Sequence, residues 1–193
     1  MIKVISPSYN KEIENFSLET SQFHDKFKVF LAGTIDNGES DDWQSNLIWQ
    51  MKTKHHGPNS DIDESIGDIV VFNPRRSNWG SNASIADVEE QIKWEQQHLD
   101  EADLIIMNFV DGSKSPITLL ELGLYGPEGK TIVFCTDKFY RFTNVKLTCD
   151  KYMIPLIKST KEEDICNEIE RIYNEACMLS EMNELEVDEY KHQ

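Results

Sequence analysis

A glutamate stands inside an otherwise apolar run near the middle of the chain. The segment SPITLLELG, residues 115–123, places Glu121 among three leucines. Burying a carboxylate in such surroundings is costly unless the site gives it a partner or a task. In a pocket, Glu121 could act as a nucleophile or a general base. The alternative is a glutamate on the solvent side of a helix.

Two polar segments offer groups that could bind a small molecule. NPRRSNWG, residues 73–80, contains Arg75, Arg76 and Trp79, which suit a phosphate or a nucleobase. In a structural turn, the same arginines would instead pair with surface acids. DDWQ, residues 41–44, contributes Gln44, which could read a base edge, next to a tryptophan that we expect in the core.

Other residue patterns do not support a metal or an organic cofactor. Residues 55–63 contain two adjacent histidines and two aspartates without a defined ligand spacing, so we predict a solvated loop and no metal. GTIDNG, residues 33–38, is neither a Walker motif nor a dinucleotide-binding motif. His98 is predicted to lie on the surface of a helix.

Apolar strands alternate with helical segments along most of the chain. Strands that are apolar throughout, each followed by a helix, indicate a parallel sheet covered on both faces. We therefore predict an α/β fold, namely a flavodoxin-like doubly wound parallel sheet of about five strands with helices on both faces. The predicted strand segments are 27–33, 68–74, 103–110, 130–136 and 152–157.

The predicted topology places the ligand crevice at the carboxyl ends of the first and third of these strands. A helix with Ser115 as its predicted N-cap and Pro116 at its first position opens from that crevice. Glu121 lies one to two turns into the helix, and helical side chains tilt toward the N-terminus. Its carboxylate could therefore reach back into the pocket.

Five segments resemble, in order, the nucleoside 2-deoxyribosyltransferase-like family. They are FLAG followed by an aspartate and DWQ, then NPRR, QIKWE, AD and SPITLLELG, within Phe27 to Pro155. The resemblance implies that Glu121, in an E-x-G motif, attacks the anomeric carbon of a nucleoside and forms a covalent glycosyl-enzyme. Another base or water would then accept the sugar.

The same resemblance suggests roles for further residues. Glu95, eight positions before Asp103, would contact the base, and Asp111 would hold the sugar or orient the chemistry. The alternatives are that Glu95 is a solvated glutamate on a helix and that Asp111 only forms a turn. Phe30 stands where classical members carry a phenol. The candidate substrate-binding residues are Gly33, Thr34, Ile35, Asp36, Asp42, Gln44, Asn73, Arg75, Arg76, Trp79, Ser115 and Asn144.

Length and charge set the expected organisation and partners. The 193 residues suit one domain, here residues 27–180, between an N-terminal extension (1–26) with at most a short strand and an acidic tail (181–193). A net charge of -16 argues against long nucleic acid as a partner. The resemblance implies a homo-oligomer, and Asn144 falls where some members reach a neighbouring subunit's site.

Four cysteines without paired spacing, and no long apolar run, indicate a cytoplasmic protein that does not enter a membrane. A small nucleoside or nucleotide is the expected ligand. Two rival functions remain open: hydrolysis of a nucleoside monophosphate, with the two arginines on the phosphate, and a nucleotide-binding or acidic interaction protein without turnover.

Overall fold

The architecture is taken from a computed structural model that describes residues 2–7, 23–35, 41–54, 69–76 and 84–191, with side chains up to residue 183. Six parallel strands form one sheet in the order β1-β3-β2-β4-β5-β6. The strands are β1 (Lys3–Ile5), β2 (Phe27–Gly33), β3 (Ile69–Phe72), β4 (Leu104–Phe109), β5 (Thr131–Cys135) and β6 (Leu156–Ile157).

The predicted flavodoxin-like α/β fold is confirmed, with six strands in place of about five. Strands β2 to β6 follow the expected doubly wound order, in which β2 lies between β3 and β4. The sixth strand is β1, which comes from the N-terminal extension and pairs with β3 at the edge of the sheet. Most of that extension, residues 8–22, lies outside the described residues.

Five helices cover the two faces of the sheet. They are α1 (Trp43–Thr53), α2 (Ile85–Glu101), α3 (Pro116–Tyr125), α4 (Phe142–Tyr152) and α5 (Glu162–Lys191). Helices α2, α3 and α4 contribute to the core on one face, and α1 and α5 to the core on the other. All six residues of β4 are buried, which explains the continuous apolar runs.

Two expectations about aromatic side chains had opposite outcomes. Trp43 lies in the core as predicted, and its indole N–H donates to the Thr34 carbonyl at 3.1 Å. His98 was expected on the surface, and that prediction is wrong, because it is 1% exposed. Its Nδ1 donates to the Trp94 carbonyl at 2.7 Å, and its ring stacks on Trp94 and meets Phe72 edge-on.

The spacing of Ile165, Ile169 and Ile172 predicts a closing amphipathic helix over residues 161–182, and that helix is present and longer. Ile165 and Ile169 are fully buried against the sheet. Helix α5 continues to Lys191, so its backbone includes most of the segment 181–193 that was set apart as a tail. Within the described part of the chain, no helix is long and apolar enough to cross a membrane.

Candidate active site

A cavity of about 320 Å³ lies between α2 and α3, at the carboxyl end of β2. This volume is within the range of small-molecule sites, roughly 300–1,000 Å³. Phe30 and Ala32 from the sheet are apolar, and the charged side chains come from the two helices and the loop after β3. The lining residues are Phe30, Ala32, Gly33, Ile35, Pro74, Arg76, Val88, Gln91, Ile92, Glu95, Ser115, Pro116, Ile117, Thr118 and Glu121.

Helix α3 presents a line of polar groups to this cavity. Ser115, Thr118 and Glu121 recur at three-residue intervals, so they share one face of the helix, and all three are buried. Pro116 occupies the first helical turn, where its missing N–H costs nothing. Glu121 therefore faces the cavity and not the solvent, which answers the question that its sequence context raised.

Ser115 is the N-cap residue of α3, as predicted, although its side chain makes no capping hydrogen bond. Its backbone has a φ of 42°, in the left-handed region that a serine adopts only at a cost of about 1–3 kcal/mol. This conformation turns the hydroxyl toward the loop after β2 instead of toward the helix. Ser115 therefore lacks the usual N-cap hydrogen bond of its side chain, and it is one of the residues that line the cavity.

Three buried hydroxyl groups join the two loops at the carboxyl ends of β2 and β4. Thr34 Oγ1 lies 2.6 Å from Ser115 Oγ and 2.9 Å from Ser113 Oγ, and the two serine oxygens are 2.8 Å apart. Ser113 also donates to the Val110 carbonyl at 2.8 Å, and the Val110 N–H donates to Thr34 Oγ1 at 3.2 Å. The cluster holds the start of α3 against the sheet.

Glu121 is the carboxyl group with the most perturbed environment in the cavity. It is 8% exposed, and none of the described residues donates a hydrogen bond to it. Burial raises the pKa of Glu121 to about 8, and the negative charge of Glu95 contributes in the same direction. A group with this pKa holds its proton at neutral pH and can release it when a ligand changes the surroundings.

Glu95 has a different environment on the opposite wall. Burial raises its pKa, but a hydrogen bond from Gln91 and the charge of Arg76 both act to lower it. Gln91 Nε2 donates to Glu95 Oε1 at 2.6 Å and to the Pro74 carbonyl at 2.9 Å. Because a carbonyl oxygen only accepts, the amide nitrogen must face Pro74, and this sets the orientation of the Gln91 side chain.

The two neighbouring arginines point to different places. Arg76 is buried and lines the cavity. Arg75 lies against the start of α1, where its guanidinium group donates to the Asp41 carbonyl at 3.2 Å and lies 3.6 Å from Asp42. The structure therefore brings only one of the two predicted cationic groups to the cavity.

Several other candidate residues stabilise the loops around the site. Asp42 caps α1 by accepting from the Ser45 N–H at 3.0 Å. Gln44 is fully buried, and its Oε1 accepts from Arg75 at 3.5 Å. Asn73 Oδ1 accepts from the Arg75 N–H at 3.0 Å. None of these three side chains lines the described cavity.

Asp111 and Asn144 are not among the residues that line the cavity. Asp111 is exposed and accepts a short hydrogen bond from Thr136 Oγ1. Asn144 lines a separate groove between α3 and α4, beside Arg141 and Gly123. Asp36 and Trp79 lie outside the described residues, as do the paired histidines 55–56 and the aspartates at 61 and 63.

Sequence reasoning missed Gln91 and Thr118 as cavity residues. Gln91 stands four positions before Glu95, a helical spacing at which a glutamine and a carboxylate can bond. Thr118 stands three positions before Glu121, so a helical reading of SPITLLELG could have put both on one face. Among the described residues, no group of three or more histidine, cysteine, aspartate or glutamate side chains is placed to hold a metal ion.

Comparison with protein families returns a match that contains the whole cavity. The sequence model of the family described as "Nucleoside 2-deoxyribosyltransferase like" matches residues 26–139, more than half of the chain. The matched span begins with β2 and includes α1, β3, α2, β4, α3 and β5. Comparison with curated protein sequences gave no match.

Proposed function

Because this chain belongs to the nucleoside 2-deoxyribosyltransferase like family, we propose that it cleaves the N-glycosidic bond of a (deoxy)nucleoside or nucleotide. In this proposal, Glu121 attacks the anomeric carbon and forms a covalent glycosyl-enzyme. The sugar then passes to another nucleobase or to water. No metal or organic cofactor takes part in the proposed reaction, because carboxyl groups supply the nucleophile and the acid.

The observation that supports this most directly is the position of Glu121 on the inner face of α3, in a cavity of small-molecule size. Cleavage of an N-glycosidic bond develops positive charge on the sugar ring. A carboxylate can stabilise that charge and then form an ester with the anomeric carbon, as in retaining glycoside hydrolysis. Restricted access of water would protect such an ester until the acceptor arrives.

The other cavity residues suit the remaining parts of a nucleoside. Glu95, on the opposite wall, is proposed to meet the departing base, where a proton is needed. Ser115 and Thr118, on the face of α3 that carries Glu121, offer hydroxyl groups to the sugar. Val88, Ile92 and other apolar lining residues offer a surface for the flat face of the base.

Intact-protein mass spectrometry tests the covalent step. The protein would be mixed with a panel of 2'-deoxynucleosides, ribonucleosides and their monophosphates, with Glu121→Gln as the test variant. Glu89→Gln, an exposed glutamate on α2, is the matched control. We expect a sugar-sized adduct on wild type and on Glu89→Gln, and a rate of base release at least about 10³-fold lower in Glu121→Gln.

The absence of both adduct and free base across the panel would contradict the proposal and favour a binding protein without turnover. Base release without an adduct, unchanged in Glu121→Gln, would contradict the nucleophile assignment alone. Dependence on an added acceptor base separates transfer from hydrolysis, since a hydrolase releases the sugar without one.

Hydrolysis of a nucleoside monophosphate is the second candidate, and the position of Arg76 favours it. Its buried guanidinium group lines the cavity and could donate two hydrogen bonds to a pair of phosphate oxygens. Arg75 does not share this task, because it lies against α1. A kcat/KM for monophosphates that exceeds that for nucleosides, and that falls in Arg76→Gln but not in Arg75→Gln, would support this candidate.

We infer further that the protein acts as a homo-oligomer. Six apolar side chains on α2 and α3 are exposed. On each helix, three of them recur at intervals of three or four residues and form one stripe. The stripes flank the cavity, so a second copy packed on them would help to close it. These residues are Ile85, Val88 and Ile92 on α2 and Ile117, Leu120 and Leu124 on α3.

A cytoplasmic location remains part of the same proposal. All four cysteines are free thiols, three of them buried. Thiols persist in a reducing compartment.

A further inference from the structure

We propose that Glu95 and Glu121 share a single proton in the free protein, that this proton rests on Glu121, and that Glu95 passes it to the leaving base. Gln91 is the positioning residue that keeps Glu95 as the ionised partner. The proposal deepens the function proposed above and rests on it for the identity of the substrate. Its first part, the location of the proton, can be tested without any substrate.

Two carboxyl groups project into the same cavity. Glu95 projects from α2 and Glu121 from α3 into the same cavity, and each is mostly withdrawn from water. Two negative charges in one such site repel each other, so one of the two groups keeps its proton. The pair then titrates as a unit.

The two carboxyl groups have unequal partners. Glu95 accepts a 2.6 Å hydrogen bond from Gln91, and Arg76 lies close enough to favour its negative charge. Glu121 accepts no hydrogen bond from the described residues, and Phe30 and Ala32 are apolar residues of the same cavity lining. The charge is therefore more stable on Glu95 and the proton on Glu121.

Other titratable side chains lie near the pair. Arg76 is the remaining charged side chain in the described lining, and guanidinium groups do not act as proton donors in catalysis at neutral pH. Tyr125 lies one turn beyond Glu121 on α3, where burial first and then Asp100 raise its pKa to about 12. Neither group can supply the proton at neutral pH, so the pair itself is the source within the described site.

This single proton balances the first half of the reaction. The bond between the anomeric carbon and the base nitrogen breaks, and its electron pair stays with the base. The proton of Glu121 moves to Glu95 and from there to the base nitrogen, while the freed carboxylate oxygen of Glu121 bonds to the anomeric carbon. A neutral nucleoside and a neutral acid thus become an ester and a neutral base, with Glu95 ionised before and after.

Infrared difference spectroscopy of the free protein tests where the proton lies. We expect the carbonyl stretch of one protonated carboxyl at neutral pH, lost as the pH rises through about 8. The band should be absent in Glu121→Gln and unchanged in Glu89→Gln. A wild-type spectrum without a protonated carboxyl at neutral pH, or a band that survives in Glu121→Gln, would overturn the proposal.

Rapid-mixing kinetics test the relay, with two leaving groups that differ in their need for a proton. For a purine 2'-deoxynucleoside, we expect the first release of base to slow above pH about 8, as the pair loses its proton. For a nitrophenyl 2-deoxyriboside, whose leaving group needs no proton, the rate should rise over the same range. Rates that change in the same direction for both would contradict the relay.

Glu95→Gln separates a relay from a structural role. The variant should slow base release from the nucleoside by roughly 10²–10⁴-fold, the usual contribution of a general acid, and leave the nitrophenyl compound nearly unaffected. Equal losses for both substrates would show that Glu95 only supports the fold. A lack of turnover with every substrate would contradict the proposed function, while the infrared result would still decide where the proton lies.

The role of Gln91 has a matched control on the same helix. Gln97 donates to Glu101 at 3.0 Å with the same four-residue spacing but does not line the cavity. Gln91→Met removes the hydrogen bond that favours ionised Glu95. The low-pH limb of the profile of base release from the nucleoside, where Glu95 becomes protonated, should therefore move to higher pH. Gln97→Met should leave the profile in place. Identical profiles for the two variants would remove Gln91 from the proposal.

Discussion

The hydroxyl groups of Thr34 and Ser115 lie 2.6 Å apart and connect the loop after β2 to the first turn of α3. Because α3 carries Glu121 on its inner face, this contact helps to set where the candidate nucleophile lies relative to the sheet. Ser115 keeps a left-handed backbone conformation at this position. The contact and the strained backbone can be separated by substitution.

Ser115→Gly and Ser115→Ala should differ in stability. Both remove the hydroxyl and its bonds to Thr34 and Ser113, at a cost of about 1 kcal/mol. Alanine retains the penalty of a positive φ, whereas glycine adopts that region freely. We expect Ser115→Gly to have a free energy of unfolding about 1 kcal/mol higher than Ser115→Ala in urea denaturation. The reverse order would argue against strain at this residue.

Gly33→Ala should be strongly destabilising, because the backbone of β4 leaves no room for a side chain. A Cβ at Gly33 would lie 2.6 Å from the Asn108 carbonyl oxygen and 2.8 Å from the Trp43 ring. We expect a loss of about 2 kcal/mol or more in the free energy of unfolding. Gly123→Ala, at an exposed position of α3, is the control, and it should stabilise the protein by roughly 0.5–1 kcal/mol.

The pKa of Glu121 predicts how stability depends on pH. It is raised in the folded protein to about 8 from 4.5. Between these pH values, the unfolded chain has released a proton that the folded protein still holds, so stability falls as the pH rises. Relative to Glu121→Gln, wild type should lose up to about 1.4 kcal/mol per pH unit in this range. Parallel curves for the two proteins would contradict the raised pKa.

The apolar stripes on α2 and α3 predict the effect of charge on assembly. Leu120→Lys combined with Leu124→Lys places two charges on the α3 stripe without touching the cavity lining. We expect the oligomer to dissociate, as measured by light scattering during gel filtration. Leu147→Lys, at a similarly exposed leucine on α4, is the control and should not change the mass. A wild-type monomer would contradict the inferred oligomer.

Much of the fold could be predicted from local patterns. Strands buried on both faces read as continuous apolar runs, and β4 has no exposed residue. The alternation of strands with helices then indicated a parallel sheet. A few apolar residues near the N-terminus were enough to suggest the short first strand. The length of α5 was underestimated, because its last turns lack the apolar periodicity on which the prediction depended.

The orientation of side chains on α3 could not be predicted in the same way. Apolar residues occur all around this helix, and Leu120 and Leu124 are more than half exposed while Leu122 is buried. Hydrophobic periodicity therefore did not distinguish an inward Glu121 from an outward one. The orientation of the neighbouring arginines could not be predicted either. Arg75 contacts Asp41 and Asp42 at the start of α1, and this contact depends on how α1 packs against the loop after β3.

The sequence by itself determined the parallel α/β fold, the helix that begins after Ser115, and the residue types able to act on a glycosidic bond. Only the tertiary structure decided that Glu121, Glu95 and Arg76 share a cavity and that Asp111 and Asn144 do not line it. The physical reason is that strand and helix formation depend on near neighbours in the chain. The environment and pKa of a carboxyl group depend on elements far apart in sequence.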